Sequence, residues 1–392
     1  MKICVLAKST LKHNYGGMET HLENLVQSLL DLGHQVFIIT TSFKSLCEER
    51  SKNLYVFYLP RTPSGVYSKK WWRFSKDMFK KLNEKNKFDI VLSQSVSGYS
   101  ISLIKPHPLM FMIAYGRIID NIWNELYDCK NIIDYIKFFL IKLPEILHLY
   151  IYECKMIKNI DGIIATGETI AMRFKKENIL VSYNGIFTDK FLPDINKKEI
   201  IRKKLNIPEN YKVFCIASSL TKQKGVYIAV NAFNIVEKIY KKVFLLIIGD
   251  GPEKEKINFL IKKLNLSKKT KFVGYVEYQE VSDYLNACDI FLHPSLRIEG
   301  LPTIIIEALS CAKPVIATDT GATKDIFKCN QCGFLIRKRD LKSLVKAMLE
   351  LLNNDELYIL ISKNARKCVE ENFNIKDLTS NLLLQIKNIY GI

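Results

Sequence analysis

The 392-residue chain lacks any stretch near the roughly 18 uncharged apolar residues that a membrane-spanning helix needs, so no transmembrane anchor is expected. Its opening residues, MKICVLAKST, hold an apolar run of only five before Lys8 and Ser9. That is too short for a secretory signal and suits a first buried strand, so a cytoplasmic protein is expected. Paired cysteine motifs are missing too: Cys329 and Cys332 form a lone C-x-x-C with no second pair at zinc-finger spacing. The other cysteines are scattered, several inside apolar runs as small core residues, and reduced thiols are expected. No nucleic-acid reader motif accompanies the net charge of +18, which argues against a nucleic-acid partner.

What is present describes a folded, basic protein. Hydrophobic residues at 48% and aromatics at 11% exclude a disordered chain, and the length suits two domains of about 150 to 200 residues. Residues 1–190 carry 26 Lys and Arg against 18 Asp and Glu, and the remainder 32 against 22, so both halves are basic. The densest excess, ten against three, falls in residues 51–100 and includes Lys69, Lys70, Trp71, Trp72 and Arg73. Basic residues interleaved with tryptophan fit an anionic membrane surface, so segment 69–73 is a candidate for peripheral contact with the inner face of a membrane. A solvated basic helix face gives the same composition.

Apolar strands alternate with amphipathic helices, the α/β pattern of parallel sheets with right-handed crossovers. Strands are expected at Ile3–Ala7, Val36–Thr40, Leu54–Leu59, Ile90–Ser93, Leu109–Ala114 and Gly162–Thr166. A loop from Lys8 to Tyr15 leads into a helix that runs to about Leu32, closed by Gly33. The stretch Tyr135–Ile157, apolar with Pro144 inside, reads as one kinked helix or two, either core or a surface that receives a lipid. A boundary is expected between Asn184-Gly185 and Ile207, after which the alternation restarts with strands at Val213–Ala217, Phe244–Ile248, Lys271–Val273, Ile290–Leu292 and Val315–Ala317. Two Rossmann-like domains, residues 1–190 and 191–375, are the natural outcome, with ligands at the carboxyl ends of the strands.

The richest segment is His293–Asp325, HPSLRIEGLPTIIIEALSCAKPVIATDTGATKD, with Glu299 and Glu307 eight residues apart across a Gly-Leu-Pro turn. The preceding strand would deliver Glu299, and a helix from Thr303 would carry Glu307. Backbone N–H groups of Leu301, Thr303 and Ile304 at that helix start favour an anion such as phosphate, while Pro302, with no N–H, suits the first helical position. Carboxylates that accept from hydroxyls beside an anion cradle suit a ligand with both sugar and phosphate, a nucleotide sugar.

This segment resembles the E-x7-E motif of family 4, the retaining glycosyltransferases of GT-B fold, and the words PS, EGLP, EA, PVIAT and TGA strengthen the match. Gly16-Gly17-Met18-Glu19 with His21, then Asn184-Gly185, Lys224-Gly225, Gly249-Asp250-Gly251-Pro252 and Gly274-Tyr275-Val276, resemble the family's loops in order and spacing. The resemblance implies two facing Rossmann-like domains, an N-terminal acceptor-binding one and a C-terminal nucleotide-sugar-binding one, with residues 376–392 as a helix returning to the first. It implies metal-free sugar transfer with retention, no cofactor, and a glycan or lipid-linked acceptor in cell-surface polysaccharide or glycolipid synthesis.

By resemblance, Lys224 meets the donor diphosphate, Glu307 the ribose hydroxyls, Glu299 the transferred sugar or departing phosphate, and the loop around Val276 the base. Gly249, Gly300, Leu301 and Thr303 belong to the same donor set, and Gly16 and Gly17 let backbone approach the donor phosphate and acceptor. Two positions depart from the family. Ser219 stands where an arginine usually shares the diphosphate, and Tyr115, in FMIAYG, stands where a histidine is usual. Tyr115 can still donate a hydrogen bond to a sugar hydroxyl, and Arg117 and Asp120 are candidate substitutes on the acceptor side. A catalytically weak nucleotide-sugar binder and a nucleotide-sugar epimerase of the same fold are the alternatives.

Overall fold

The structure, a computed structural model, describes residues 1–14, 16–44, 48–129, 131–329 and 331–391. Tyr15, the expected end of the first loop, Cys47 and the terminal Ile392 lie outside the described residues. The chain divides into two compact units, Met1–Gly185 together with Ile375–Ile392, and Ile186–Asn374.

In the first unit the strands are β1 (Lys2–Leu6), β2 (Gln35–Thr41), β3 (Glu48–Arg50), β4 (Leu54–Leu59), β5 (Ile90–Gln94), β6 (Leu109–Ala114), β7 (Gly162–Ala165) and β8 (Ile179–Val181), ordered β3-β4-β2-β1-β5-β6-β7-β8. All neighbours pair in parallel except β3 with β4. The central strands are buried on both faces, which is why they read as unbroken apolar runs. Helix Gly17–Asp31 buries Leu22, Leu25, Val26 and Leu29, one face at helical spacing. Helix Ile375–Tyr390 adds Leu382, Leu383 and Ile386 to the same cluster, and Tyr390 Oη donates to the Asp161 carbonyl at 2.9 Å. The last helix therefore belongs to the first unit.

The second unit holds β9 (Lys212–Ala217), β10 (Val243–Ile248), β11 (Thr270–Gly274), β12 (Ile290–His293), β13 (Val315–Thr318) and β14 (Gly333–Ile336), ordered β11-β10-β9-β12-β13-β14 and all parallel. Asp289, buried at the start of β12, is its polar hub. The carboxylate accepts from Arg202 at 2.6 Å, Lys198 at 2.9 Å and the Val213 backbone at 2.7 Å. Burial opposes its ionisation, but Arg202 and Lys198 hold the carboxyl below its ordinary range. Asp289→Ala strands a buried guanidinium and should cost the second unit about 3 to 5 kcal/mol, read as a lower denaturant midpoint.

Several expectations change. Strands β3, β8 and β14 are additions, each three or four residues long and each at the edge of its sheet. The stretch around Pro144 is two helices, with wider bounds than expected: helix Ile132–Lys137 passes through a π-helical turn, Phe138–Lys142, into helix Leu143–Asn159, whose first turn holds the proline. The thiols are not all reduced, since Cys329 and Cys368 form a disulfide with Cα atoms 5.7 Å apart, while Cys4, Cys215, Cys288, Cys311 and Cys332 are free and buried. Within 69–73 Trp71 faces inward and Trp72 is half-buried among aromatic rings. Trp71 is fully buried with its indole N–H on the Ser97 carbonyl at 3.1 Å, and Trp72 stacks on Tyr67 and meets Tyr99 and Tyr152 edge-on. Only the lysines and the arginine of that cluster are exposed. Among the described residues, no helix is long and apolar enough to cross a membrane.

Candidate active site

In the second unit, loops at the carboxyl ends of the strands bring the predicted residues together. Lys224 ends a 3-10 turn after β9, and Glu299 lies six residues past β12. Lys224 Nζ donates to Glu299 Oε1 at 2.6 Å, and Ser295 Oγ donates to the same oxygen at 2.7 Å. The side chains of Lys224 and Glu299 are 19% and 11% exposed, so this pair is largely screened from water. Burial alone would raise the Glu299 carboxyl, but Lys224 and His293 overcome it and hold the group well below the ordinary range. Glu299 is a carboxylate with its charge already answered.

Two glycines fix the pair. Gly225, at φ +64°, is followed by helix Val226–Ile239, and a Cβ there would lie 2.1 Å from the Pro294 carbonyl oxygen. Gly321, at φ +56°, passes under Glu299 so closely that a Cβ would lie 1.9 Å from its carbonyl oxygen, which accepts from the Ala322 N–H at 3.1 Å. The T-G-A word thus seats the backbone of Glu299. Gly321→Ala should displace that carboxylate from Lys224 and lower turnover without removing a functional side chain, a loss read in steady-state kinetics.

Glu307 lies on helix Thr303–Ser310 and is 3% exposed. Burial pushes its carboxyl up to about 8, against a hydrogen bond from Tyr278. Pro302 takes the N-cap, one position before the expected one, and its side chain gives no cap, so Thr303 opens the helix without a side-chain acceptor at its start. Leu301 and Thr303 are buried there, and Gly300 is partly exposed. Gly249 donates its N–H to the Gly274 carbonyl at 2.7 Å, and a Cβ on it would meet the Ser218 carbonyl oxygen, so it links the Ser218–Lys224 loop to the partly exposed Val276 loop. Ser219 uses its carbonyl to accept from Thr221 at 2.9 Å and brings no charge where the family has an arginine.

The first unit gathers its own candidates. Gly16 is the N-cap and Gly17 the first residue of helix Gly17–Asp31; a Cβ on Gly16 would meet the Glu19 carboxylate at 2.6 Å, and that carboxylate accepts from Ser9 Oγ at 2.5 Å. Tyr115 Oη shares a hydrogen bond of 2.8 Å with His21 Nδ1. Burial drives the two in opposite directions, the imidazole down to about 4 and the phenol up, so both are neutral near pH 7. Arg117 and Asp120 are both held in ion pairs. Arg117 pairs with the buried Glu153 at 2.8 Å and lies over Tyr150 and Phe174, while Asp120 is paired with Arg173. Arg117 ties the chain after β6 to helix Leu143–Asn159, and Asp120 ties it to Arg173, just past the short helix Glu168–Ala171.

Three residues of the second unit escaped sequence reasoning. His293 ends β12 with Nε2 3.8 Å from Glu299 Oε1, and burial lowers its pKa. Ser295 holds the Glu299 carboxylate, and Tyr278 reaches Glu307 from a separate helix. The H-P-S word before the motif was the one signal for the first two. Among the described residues, no group of three or more His, Cys, Asp and Glu side chains could hold a metal ion.

The matching family models are those of the glycosyl transferases group 1, over residues 197–368, and of glycosyltransferase family 4, over residues 15–113, together more than half of the chain. An uncharacterized glycosyltransferase of Methanocaldococcus jannaschii is 22% identical over 92% of both chains. The UDP-Gal:α-D-GlcNAc-diphosphoundecaprenol α-1,3-galactosyltransferase of Escherichia coli is 33% identical over 50% of this chain and 51% of its own. In fold, the sucrose-phosphate synthase of Thermosynechococcus elongatus superposes with a TM-score of 0.82 at 18% identity, over 100% of this chain and 99% of that one. The chain is therefore similar to the group 1 glycosyltransferases over its second unit and to glycosyltransferase family 4 over its first, and it folds as two Rossmann-like domains of the GT-B type.

Proposed function

We propose that the protein transfers a hexosyl group from a nucleoside diphosphate sugar to a glycan or lipid-linked acceptor, with retention and without a metal, in the synthesis of a cell-surface polysaccharide or glycolipid at the inner face of the membrane. The observation that carries this reading is the screened Lys224–Glu299 pair beside the uncapped start of helix Thr303–Ser310. When the bond from the anomeric carbon to the diphosphate breaks, negative charge grows on the departing phosphate. Lys224 can lean from Glu299 toward it, and the helix N–H groups add their dipole. Glu307, protonated near neutrality, can both donate to and accept from the ribose hydroxyls. Glu299, held by Lys224 and Ser295, is suited to orienting sugar hydroxyls rather than to attacking carbon. The first unit takes the acceptor, and Tyr115, already bonded to His21, acts with it as one neutral group.

Resemblance to a transferase that uses a sugar on diphosphoundecaprenol supports a lipid-linked acceptor. Ser219 favours a second reading, a nucleotide-sugar binder with little turnover, because one cation that would answer the leaving diphosphate is missing. Incubating the protein with a panel of nucleotide sugars, with and without lipid-linked acceptors, separates the two. Nucleoside diphosphate release that rises with an acceptor is expected; tight binding with no release in any pairing would favour the binder.

A further inference from the structure

The first unit exposes far more apolar surface in one place than solvation explains. Through helix Ile132–Lys137, the π-helical turn and the start of helix Leu143–Asn159, only Phe138 and Ile146 are buried. Ile132 is 73% exposed, Ile133 58%, Ile136 51%, Phe139 55%, Leu140 72% and Ile141 61%. Single exposed apolar residues need no account, but a continuous run of large ones marks a surface that something covers. Ile132, Ile136 and Leu140 recur at every fourth residue, and Leu147 and Ile151 continue the exposed apolar surface along the next helix.

We propose that this ridge, residues 132–151, seats the first unit on an anionic lipid bilayer, dipping into the headgroup layer without crossing it. The charge beside it selects the occupant. Helix Lys69–Asn86 carries seven Lys and Arg against Asp77 and Glu84, and it is joined to the ridge's far end through Trp72, whose ring meets Tyr152 and Tyr99 edge-on. The helix that carries the exposed Lys69, Lys70 and Arg73 is thus packed, through Trp72, on the helix that carries the exposed Leu147 and Ile151. An apolar ridge flanked by cations complements acyl chains under anionic headgroups, where each lysine near the surface adds to binding. A second copy of this chain would bring the same basic helix against its like. The tryptophans of segment 69–73 are thus engaged in packing within the unit, and the apolar contact is made 60 to 80 residues further on.

Full-length protein is mixed with vesicles of phosphatidylcholine containing about 30 mol % phosphatidylglycerol, and with phosphatidylcholine alone, and sedimented at low and high salt. Binding to the anionic vesicles that weakens with salt is expected. Ile136→Asp with Leu140→Asp, and separately Lys69→Glu with Lys70→Glu, should each lower vesicle affinity tenfold or more at an unchanged melting temperature, since all four side chains are exposed. Trp123, 68% exposed on the helix Asn121–Asp128 that packs against the ridge, should shift its emission to the blue on anionic vesicles, and Trp123→Phe should remove that shift. Three results overturn the proposal: wild type left in the supernatant at low salt, both double variants binding as wild type does, or a wild-type dimer that ignores vesicles and that the aspartates dissolve. These vesicles hold no sugar acceptor, so failure here leaves the transfer reading standing.

Discussion

Lys224→Ala lowers kcat/KM by tenfold or more, on the order of 1.4 kcal/mol or greater, with most of the loss in kcat. The side chain is the cation that holds Glu299, and it is the charge placed to answer a departing diphosphate. Removing it has two effects that must be separated. Glu299 is left buried with Ser295 and His293 but no full positive charge, a destabilising change of several kcal/mol by analogy with other broken buried pairs. The transition state also loses its cation. The double variant Lys224→Ala, Glu299→Gln distinguishes them, because residues in contact couple. Neutralising both partners should restore much of the melting temperature while turnover stays low. Recovery of turnover together with stability would mean that Lys224 matters only as a structural partner. The pair has an acid side as well. The folded carboxyl of Glu299 sits below its ordinary 4.5, so its contribution is present above that pH and is lost as acid protonates the folded state. Lys224→Ala should flatten that acid slope.

Glu307→Ala should lower turnover or donor binding by a similar factor, and Glu307→Gln carries the pH test. In the fold this carboxyl is raised from 4.5 to about 8 by burial. The folded state then binds the proton more tightly than the unfolded one, so stability from Glu307 is fully present below about 4.5 and drains away as the pH climbs to about 8. Glutamine keeps the shape and cannot ionise. The variant should melt at the same temperature as wild type near the acid end of that window and higher than wild type at its alkaline end. Parallel pH profiles for the two proteins would show that Glu307 is ionised in the fold.

How much of this was legible depended on sequence distance. The β12 strand, Glu299 and the Glu307 helix follow one another within 21 residues, from Ile290 to Ser310, and local pattern places each of them. The bond between Lys224 and Glu299 spans 75 residues and rests on glycines whose neighbours, Pro294 and Glu299 itself, only the folded sheet supplies. Charge told the sequence reader that Lys69–Arg73 was basic but not which way the tryptophans turned, because burial of Trp71 is set by Ser97, 26 residues away. The ion pairs of Arg117 and Asp120 were hidden for the same reason, since their partners Glu153 and Arg173 come from later in the chain. Apolar content in 132–141 could not distinguish core from surface, as a helix apolar on most sides fits either until its neighbours are known. Cys368 lies 39 residues from Cys329, and their pairing needed the fold as well.

The central claim is that the second unit holds a nucleoside diphosphate, with Lys224 on its phosphates. Calorimetric titration of wild type and Lys224→Ala with whichever of UDP, GDP and ADP binds, and then with the matching nucleoside, tests it most directly. The variant is expected to lose tenfold or more in affinity for the diphosphate and nothing for the nucleoside. Equal affinity of both proteins for the diphosphate would contradict it.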